Sequence, residues 1–197
     1  MSLMYRLMYR VGFTPWDTGQ VPKELSALIE GLGALPAGRA LDIGCGTGTQ
    51  AVDMAQKNWE VTAVDAVPRP LSHARARAAR AGVSVDWILA DVARLHRLGL
   101  QPGYSLFFDR GCFHGLDESQ RGAYAAAVDA LAAPGATLLM MAFAPNRVVV
   151  APGGLEQSEL TGRFADWELV SAEPDTDGEI SGPLLGVPRT WYRLARR

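Results

Sequence analysis

The sequence predicts one α/β domain in which helices cover both faces of a doubly wound, mostly parallel sheet. Two observations lead to this prediction. Short, almost uninterrupted apolar runs alternate with helical segments, as strands buried on both faces require. A glycine-rich turn then joins the first apolar run to the helix after it, where folds of this class place a ligand site.

The predicted elements follow one another with short connections. Five runs are expected to be parallel strands, at 39–43, 60–65, 84–90, 104–109 and 136–143. Helices are expected at 22–32, 49–57, 69–81 and 118–133. The alternation predicts right-handed crossovers. Two further strands, at 167–172 and 189–194, are expected to form an antiparallel pair around a loop at 173–187.

Local signals support the helix boundaries. Gly82 suits a left-handed C-terminal cap, Asp117 and Gln120 form a variant of the capping box, and the pair at 134–135, Pro-Gly, is expected to stop the helix before it. The first helix is expected to bury one apolar stripe, made of Leu25, Leu28, Ile29 and Leu32.

Composition narrows the function classes. The formal net charge of −2 provides no broad basic field for nucleic acid or an anionic membrane surface. No apolar run is long enough to span a bilayer, and the first residues do not read as a secretory signal. Two cysteines, without CxxC or HExxH pairs, fit a reducing cytoplasm and no metal site. We therefore expect a cytoplasmic monomer or homodimer that acts on a small molecule.

The most informative segment is the turn after the first strand. Three glycines, Gly44, Gly46 and Gly48, stand at alternate positions between that strand and the next helix. Glycine serves where the backbone turns sharply and where a ligand approaches without a Cβ in its way. The helix start adds unpaired N–H groups and the positive end of the helix dipole. The segment therefore predicts a cofactor site at the carboxyl edge of the sheet.

Details of the turn indicate which cofactor it suits. A dinucleotide fingerprint fails because Thr49 occupies its third glycine position, and a P-loop fails for want of a lysine. The carboxylate of Asp42 would repel a pyrophosphate but attract an ammonium or sulfonium. Asp65 and Asp91 end the next two strands, where they are expected to accept hydrogen bonds from ribose hydroxyls and an adenine amino group. Acids at successive strand ends favour a cationic, diol-bearing ligand such as S-adenosylmethionine (SAM).

From about residue 14 to 194 the sequence resembles the class I SAM-dependent methyltransferases. The stretch 42–48 matches that family's first motif, 64–66 its second and Asp91 its third. The resemblance implies a Rossmann-like, seven-stranded sheet with the last strand antiparallel and SAM laid across the ends of the first four strands. It implies these cofactor contacts: Asp42, Gly44, Cys45, Gly46, Gly48, Thr49, Asp65, Ala66, Asp91 and Val92.

A narrower resemblance involves the segment Thr14-Pro15-Trp16-Asp17-Thr18-Gly19. It is similar to a lid of the thiopurine, thiol and halide methyltransferases and their tellurite-resistance relatives, and the stretch 108–111 resembles that group's segment after the fourth strand. The resemblance implies cofactor contacts at Trp16, Gly19 and Arg110. It implies a thiol, a halide or metalloid anion, or a phenolic or heterocyclic metabolite as the methyl acceptor.

The chemistry requires a nucleophile held in line with the S–CH₃ bond, and a thiol or phenol must also lose a proton. His114, beyond the fourth strand, is the expected base because its pKa range suits neutral operation. Arg110 is expected to hold an anionic substrate, or alternatively to pair with Asp109 or Asp17. The loop 146–154 is unusually apolar and is expected to form a wall of the substrate pocket or, alternatively, an oligomer contact.

The single domain is expected to divide into a lid and helix at 1–36, a cofactor-binding core at 37–145, and the wall loop with C-terminal strands at 146–197. Two other functions remain open at this point. One is a SAM-binding regulatory protein without turnover, since the glycine turn binds a cofactor and does no chemistry. The other is an NAD-dependent oxidoreductase, which Asp42 and Thr49 disfavour.

Overall fold

The structure is a computed structural model that describes residues 19–145, 153–176 and 186–197. Its strands are β1 (Arg39–Ile43), β2 (Glu60–Asp65), β3 (Asp86–Leu89), β4 (Tyr104–Arg110), β5 (Ala132–Phe143), β6 (Trp167–Pro174) and β7 (Arg189–Arg196). Its α-helices are α1 (Lys23–Ile29), α2 (Thr49–Gln56), α3 (Pro68–Ala81), α4 (Glu118–Leu131) and α5 (Gln157–Arg163). Two 3₁₀ turns span Val92–Arg97 and Phe113–Gly115.

The strands form one seven-stranded sheet in the order β3-β2-β1-β4-β5-β7-β6. The first five strands are parallel, whereas β7 runs antiparallel to both β5 and β6. The predicted fold class is therefore confirmed. Strand order reverses direction between β1 and β4, which opens a crevice at their carboxyl ends.

Apolar side chains cover both faces of the sheet. One cluster packs α1, α2 and α3 against the sheet through Leu25, Met54 and Leu71. The other packs α4 and α5 against the opposite face through Val128 and Leu160. Among the described residues, no helix is long and apolar enough to cross a bilayer.

The signals for helix ends are confirmed at two places. Gly82 caps α3 with a left-handed φ of 68°. Asp117 caps α4 in a complete capping box, in which its side chain accepts from the amide of Gln120 and the Gln120 side chain accepts from the amide of Asp117.

The expected first helix is too long. It ends at Ile29 because Glu30 is extended, and Gly31 and Gly33 follow with positive φ. Leu32, expected on the buried stripe, is instead fully exposed between those glycines.

The expected boundary between α4 and β5 is also wrong. The helix ends at Leu131 and the strand begins at once with Ala132, which pairs with Tyr104. The register then shifts, so that the next pair joins Leu106 to Thr137. The residues expected to separate the elements, Pro-Gly at 134–135, lie in this irregular start of β5, where a proline does not interrupt the ladder.

One buried hydrogen bond crosses β1 from β4 to β2. The Tyr104 hydroxyl donates to Thr62 Oγ1 over 2.9 Å, and both side chains are buried. We expect Tyr104→Phe to lower the free energy of unfolding by about 1–3 kcal/mol, because it leaves a buried hydroxyl without its donor. Urea unfolding of both single variants and the double variant with Thr62→Val measures the coupling; purely additive effects would contradict this assignment.

Candidate active site

The crevice of the sheet lies where β1 and β4 end side by side. Ile43, the last residue of β1, pairs with Asp109 of β4. The two turns that follow these strands touch, since a Cβ added to Gly44 would lie 3.2 Å from Cys112 Sγ. The turn after β1 and the turn after β4 therefore build one continuous site.

The glycine turn is held in place by the end of β2. The amides of Gly44 and Cys45 both donate to the carbonyl of Val64, over 2.8 and 3.0 Å. Gly46 has a positive φ of 53°, and its amide donates to Asp65 Oδ2 over 2.9 Å. The turn thus presents its backbone in a conformation that residues with side chains rarely adopt.

Gly48 is required for a different reason. It precedes α2 with φ of 76°, and a Cβ there would lie 2.6 Å from the Trp87 ring and 2.7 Å from Ala74. This glycine therefore permits the close approach of α3 and β3 to the turn, rather than the approach of a ligand.

The acids at the next two strand ends accept hydrogen bonds from the backbone that follows each strand. The other carboxylate oxygen of Asp65, Oδ1, accepts from the amide of Val67 over 2.8 Å. Both oxygens of Asp65 therefore accept from backbone amides, and these donors act to lower its pKa while burial raises it. Asp91 caps the 3₁₀ turn after β3 by accepting from the amide of Ala93 over 3.1 Å.

Asp42 is the buried acid of the site. Its side chain is 2% exposed, and no described residue bonds Oδ2. Burial, followed by the nearby charges of Asp65 and Asp109, raises the pKa of Asp42 to about 8. A buried carboxyl with an unused oxygen fits a cationic ligand, because a cation would compensate its ionised form. The residues present therefore fit the ammonium and sulfonium groups of SAM.

Asp109 organises the turn after β4. It is fully buried and accepts hydrogen bonds from the amides of Cys112 and Phe113 over 2.7 and 3.0 Å, and from the Tyr124 hydroxyl over 2.9 Å. Burial raises the pKa of Asp109 to about 7, against the opposing effect of these donors. Sequence reasoning considered this carboxyl only as an alternative partner of Arg110, and it assigned no role to Tyr124.

His114 lies in that turn, on its buried side. The ring is 2% exposed and packs edge-on against Phe143, with centroids 4.9 Å apart. Neither ring nitrogen has a hydrogen-bond partner among the described residues. Burial, helped by the positive charge of Arg121, lowers the pKa of His114 to about 4. The imidazole is therefore neutral at pH 7, with one donor and one acceptor nitrogen unused.

The end of the apolar loop after β5 lies against the same turn. A Cβ at Gly153 would lie 3.1 Å from the His114 carbonyl oxygen, and Gly153 and Gly154 have φ of 109° and 115°. The amide of Leu155 then donates to the carbonyl of Phe143. Of the loop expected as the substrate wall, 146–152 lie outside the described residues.

The structure brings most of the predicted site residues to one edge of the sheet. Those near the glycine turn include Cys45, which is buried, and Thr49, whose buried hydroxyl has no partner among the described residues. Arg110 is half-buried at the end of β4. Trp16, with the rest of its motif up to residue 18, lies outside the described residues, whereas Gly19 is exposed. Ala66 and Val92 directly follow the acids of their strands.

Comparison with known proteins identifies the domain. Residues 40–135 match the sequence model of a methyltransferase domain family. The chain is 29% identical over 130 residues to a 2-heptyl-1-hydroxyquinolin-4(1H)-one methyltransferase of Mycobacteroides abscessus, which covers 66% of this chain and 56% of that protein. It is 44% identical over 57 residues to a probable thiol methyltransferase 2 of Arabidopsis thaliana, which covers 29% of this chain and 25% of that protein.

A solved structure extends the likeness to almost the whole fold. The Burkholderia thailandensis 1,6-didemethyltoxoflavin-N1-methyltransferase, solved with its substrate and S-adenosylhomocysteine, superposes with a TM-score of 0.76 at 22% identity. The superposition covers 98% of this chain and 85% of that one. The superposition shows the methyltransferase fold, and the match at 40–135 agrees with the predicted enzyme class and cofactor. The alignment of this chain spans about half the length of the methyltransferase of Mycobacteroides abscessus.

The buried state of Asp42 predicts a pH-dependent stability. The folded carboxyl keeps its proton up to about pH 8, whereas the unfolded one ionises near 3.8. This contribution to stability is therefore fully present below pH 3.8 and is lost as pH rises towards 8. We expect the stability of Asp42→Asn relative to the wild type to increase between about pH 5 and 8, by at most about 1.4 kcal/mol per pH unit.

Urea unfolding at several pH values measures this difference. Asp86→Asn, at an exposed acid that begins β3, is the matched control and should show no comparable slope. A constant difference between Asp42→Asn and the wild type across that range would contradict the protonated, buried state.

Proposed function

We propose that this chain transfers the methyl group of SAM to a small molecule whose nucleophilic atom carries a proton, such as a phenolic or heterocyclic hydroxyl, a ring N–H or a thiol. The observation that carries the proposal is the neutral imidazole of His114, buried without a partner among the described residues on the turn that touches the glycine turn. An unpaired buried polar group is costly and calls for an explanation, and a ligand hydrogen bond supplies one.

The cofactor side of the proposal assigns roles to residues around the glycine turn. Asp42 would compensate the positive charge of SAM, Asp65 would accept from its ribose hydroxyls and Asp91 from its adenine amino group. Bound SAM supplies a methyl group on a good leaving group. The proposal includes the predicted contacts of Trp16 and Gly19 as a lid, and of Arg110 at the end of β4.

The acceptor side depends on the protonation state of His114. A neutral imidazole accepts a hydrogen bond from an O–H, N–H or S–H group, and it takes up the proton as the nucleophile attacks. A halide or metalloid oxyanion brings no proton and needs a cation, which this ring is not at pH 7 because its pKa is lowered to about 4 by burial. The ring therefore favours a protonated acceptor among the classes that the sequence resemblance allows.

The relatives support the same choice. The quinolone and toxoflavin enzymes are named for heteroaromatic substrates, and the plant relative is named for thiols. The edge-on contact of His114 with Phe143 gives this part of the site an aromatic surface, which suits a planar ring. We therefore place a hydroxylated or nitrogen-bearing heteroaromatic compound first among the acceptors and a thiol second.

Cofactor binding is tested by calorimetry with S-adenosylhomocysteine. We expect Asp65→Asn to weaken its binding by about 10- to 100-fold, because hydrogen bonds to a charged carboxylate are each worth about 1.5–3 kcal/mol. Asp86→Asn is the control and should bind like the wild type. Failure of the wild-type protein to bind either SAM or S-adenosylhomocysteine would overturn the whole proposal.

Turnover is tested with methyl-labelled SAM and a panel of hydroxyquinolones, phenols, thiols and halides. With an accepted compound, we expect His114→Phe to lower kcat by about 100- to 10,000-fold, the usual contribution of a general base, while S-adenosylhomocysteine binding stays unchanged. His96→Phe, at an exposed histidine on the 3₁₀ turn after β3, is the matched control.

The outcomes separate the remaining alternatives. Tight cofactor binding without methyl transfer to any compound would favour a SAM-binding regulatory protein. Transfer only to halides, unaffected by His114→Phe, would show that the acceptor is an anion and that the imidazole has no part in the reaction.

A further inference from the structure

Arg121 is a buried cation beside the turn that carries His114, and the chemistry described so far gives it no role. Arg121, in the first turns of α4, is 8% exposed. Its Nε donates to the carbonyl of Leu116 over 2.9 Å. Its Nη2 donates to two further carbonyls, those of His114 over 2.6 Å and Gly154 over 2.8 Å.

The remaining nitrogen of the same guanidinium is held by a carboxylate. Arg121 Nη1 donates to both oxygens of Glu159 on α5, over 2.9 and 2.8 Å. Glu159 also accepts from Arg163 Nε over 2.9 Å. Partial burial acts to raise the pKa of Glu159, but the hydrogen bonds from these two arginines hold it below its usual value. The buried charge of Arg121 is therefore paired and its donors are used.

The carbonyls that Arg121 binds belong to the two segments that form the acceptor side. His114 carries the unpartnered imidazole, and Gly154 ends the apolar loop after β5. The backbones of these segments are already pressed together, because a Cβ at Gly153 would lie 3.1 Å from the His114 carbonyl oxygen. Arg121 Nη2 donates to one carbonyl in each segment, so one planar guanidinium joins them.

Arg163 is a second arginine between α4 and α5, and its contacts differ from those of Arg121. Arg163 also binds Glu159 and contacts Glu118, so it links α5 to α4. It differs from Arg121 in that its described partners are carboxylates on the two helices rather than carbonyls of the acceptor side. If Arg121 served only to join the helices, the two arginines would be equivalent.

We propose that Arg121 is a positioning residue for the methyl acceptor: by binding the His114 and Gly154 carbonyls together, it fixes where the imidazole and the end of the wall loop stand in the site. This inference rests on the proposed function. It acts through His114 and the loop and involves no contact with the reacting atoms. Lysine is no substitute, because an ammonium group does not reproduce the planar fork that reaches several acceptors at once.

The test compares Arg121→Met and Arg121→Lys with Arg163→Met. For an acceptor found in the labelled-SAM panel, we expect both Arg121 variants to raise KM or lower kcat by about 10- to 100-fold, since small misplacement of a reacting group has effects of this size. S-adenosylhomocysteine affinity should stay within about twofold, because no bond of Arg121 reaches the glycine turn. Arg163→Met should have wild-type kinetics.

A second measurement needs no acceptor and so separates this inference from the proposed function. Amide hydrogen exchange should quicken at 111–117 and 153–160 in the Arg121 variants, and stay unchanged at 42–52. Arg163→Met should leave the exchange at 111–117 unchanged. If Arg121→Met does not fold, Glu159→Gln provides the comparison, since it keeps the guanidinium and its carbonyl bonds and should retain acceptor kinetics close to wild type.

Three results would overturn the inference. They are unchanged exchange in the Arg121 variants, equal effects of Arg163→Met and Arg121→Met on both segments, and a loss of cofactor affinity parallel to the loss of turnover. Altered exchange without turnover on any compound would leave the positioning of the two segments supported and count against the proposed acceptor chemistry alone.

Discussion

The carboxylate of Asp109 is the group on which the acceptor side depends. It stands at the end of β4 with no exposure, and it binds two amides of the following turn and the hydroxyl of Tyr124 on α4. A buried carboxylate without such donors would be strongly unfavourable, so the turn is constrained to bring its amides inward. That constraint places Cys112 against Gly44 and leaves His114 on the buried side of the turn.

Three acids, Asp42, Asp65 and Asp109, then share a small, water-poor edge of the sheet. Burial raises the pKa of each of them, and the pKa of Asp42 rises further because the other two repel its charge. Burial at this edge therefore disfavours negative charge on the three carboxyls. A positively charged ligand would compensate the negative charge of these carboxylates directly, whereas an anionic ligand would add to their repulsion. This electrostatic asymmetry favours a cationic ligand over an anionic one.

The sequence was sufficient for those parts of the structure that local rules determine. The alternation of strands and helices and the caps at Gly82 and Asp117 follow from apolar periodicity and terminal residues, whereas the antiparallel last strand of the sheet was implied by the family resemblance. The acids at the strand ends could be predicted because parallel strands bring their carboxyl ends to one edge. Leu32 was misplaced because the two glycines around it end the helix early. The spacing of apolar residues does not indicate where a helix ends.

The acceptor side was less accessible from the sequence because its contacts join residues far apart in the chain. Arg121 and its partner Glu159 are 38 residues apart, and neither neighbourhood points to the other. One signal was present: Arg121 shares the helical spacing of Tyr124, Val128 and Leu131, all of which are buried. A charged residue on an apolar stripe must find partners inside the protein. The spacing therefore predicts that Arg121 has buried partners, but it does not identify them.

The two halves of the site are therefore stabilised by different kinds of interaction. The glycine turn depends on backbone conformation and on short-range bonds to the end of β2. The acceptor side depends on side chains that bind distant backbone, through Asp109, Tyr124 and Arg121. Substitutions in the second set can shift His114 and Gly154 while the first set keeps its geometry. Under the proposed function, the acceptor is thus selected by a network that is mechanically separate from cofactor binding, even though the two turns touch at Gly44 and Cys112.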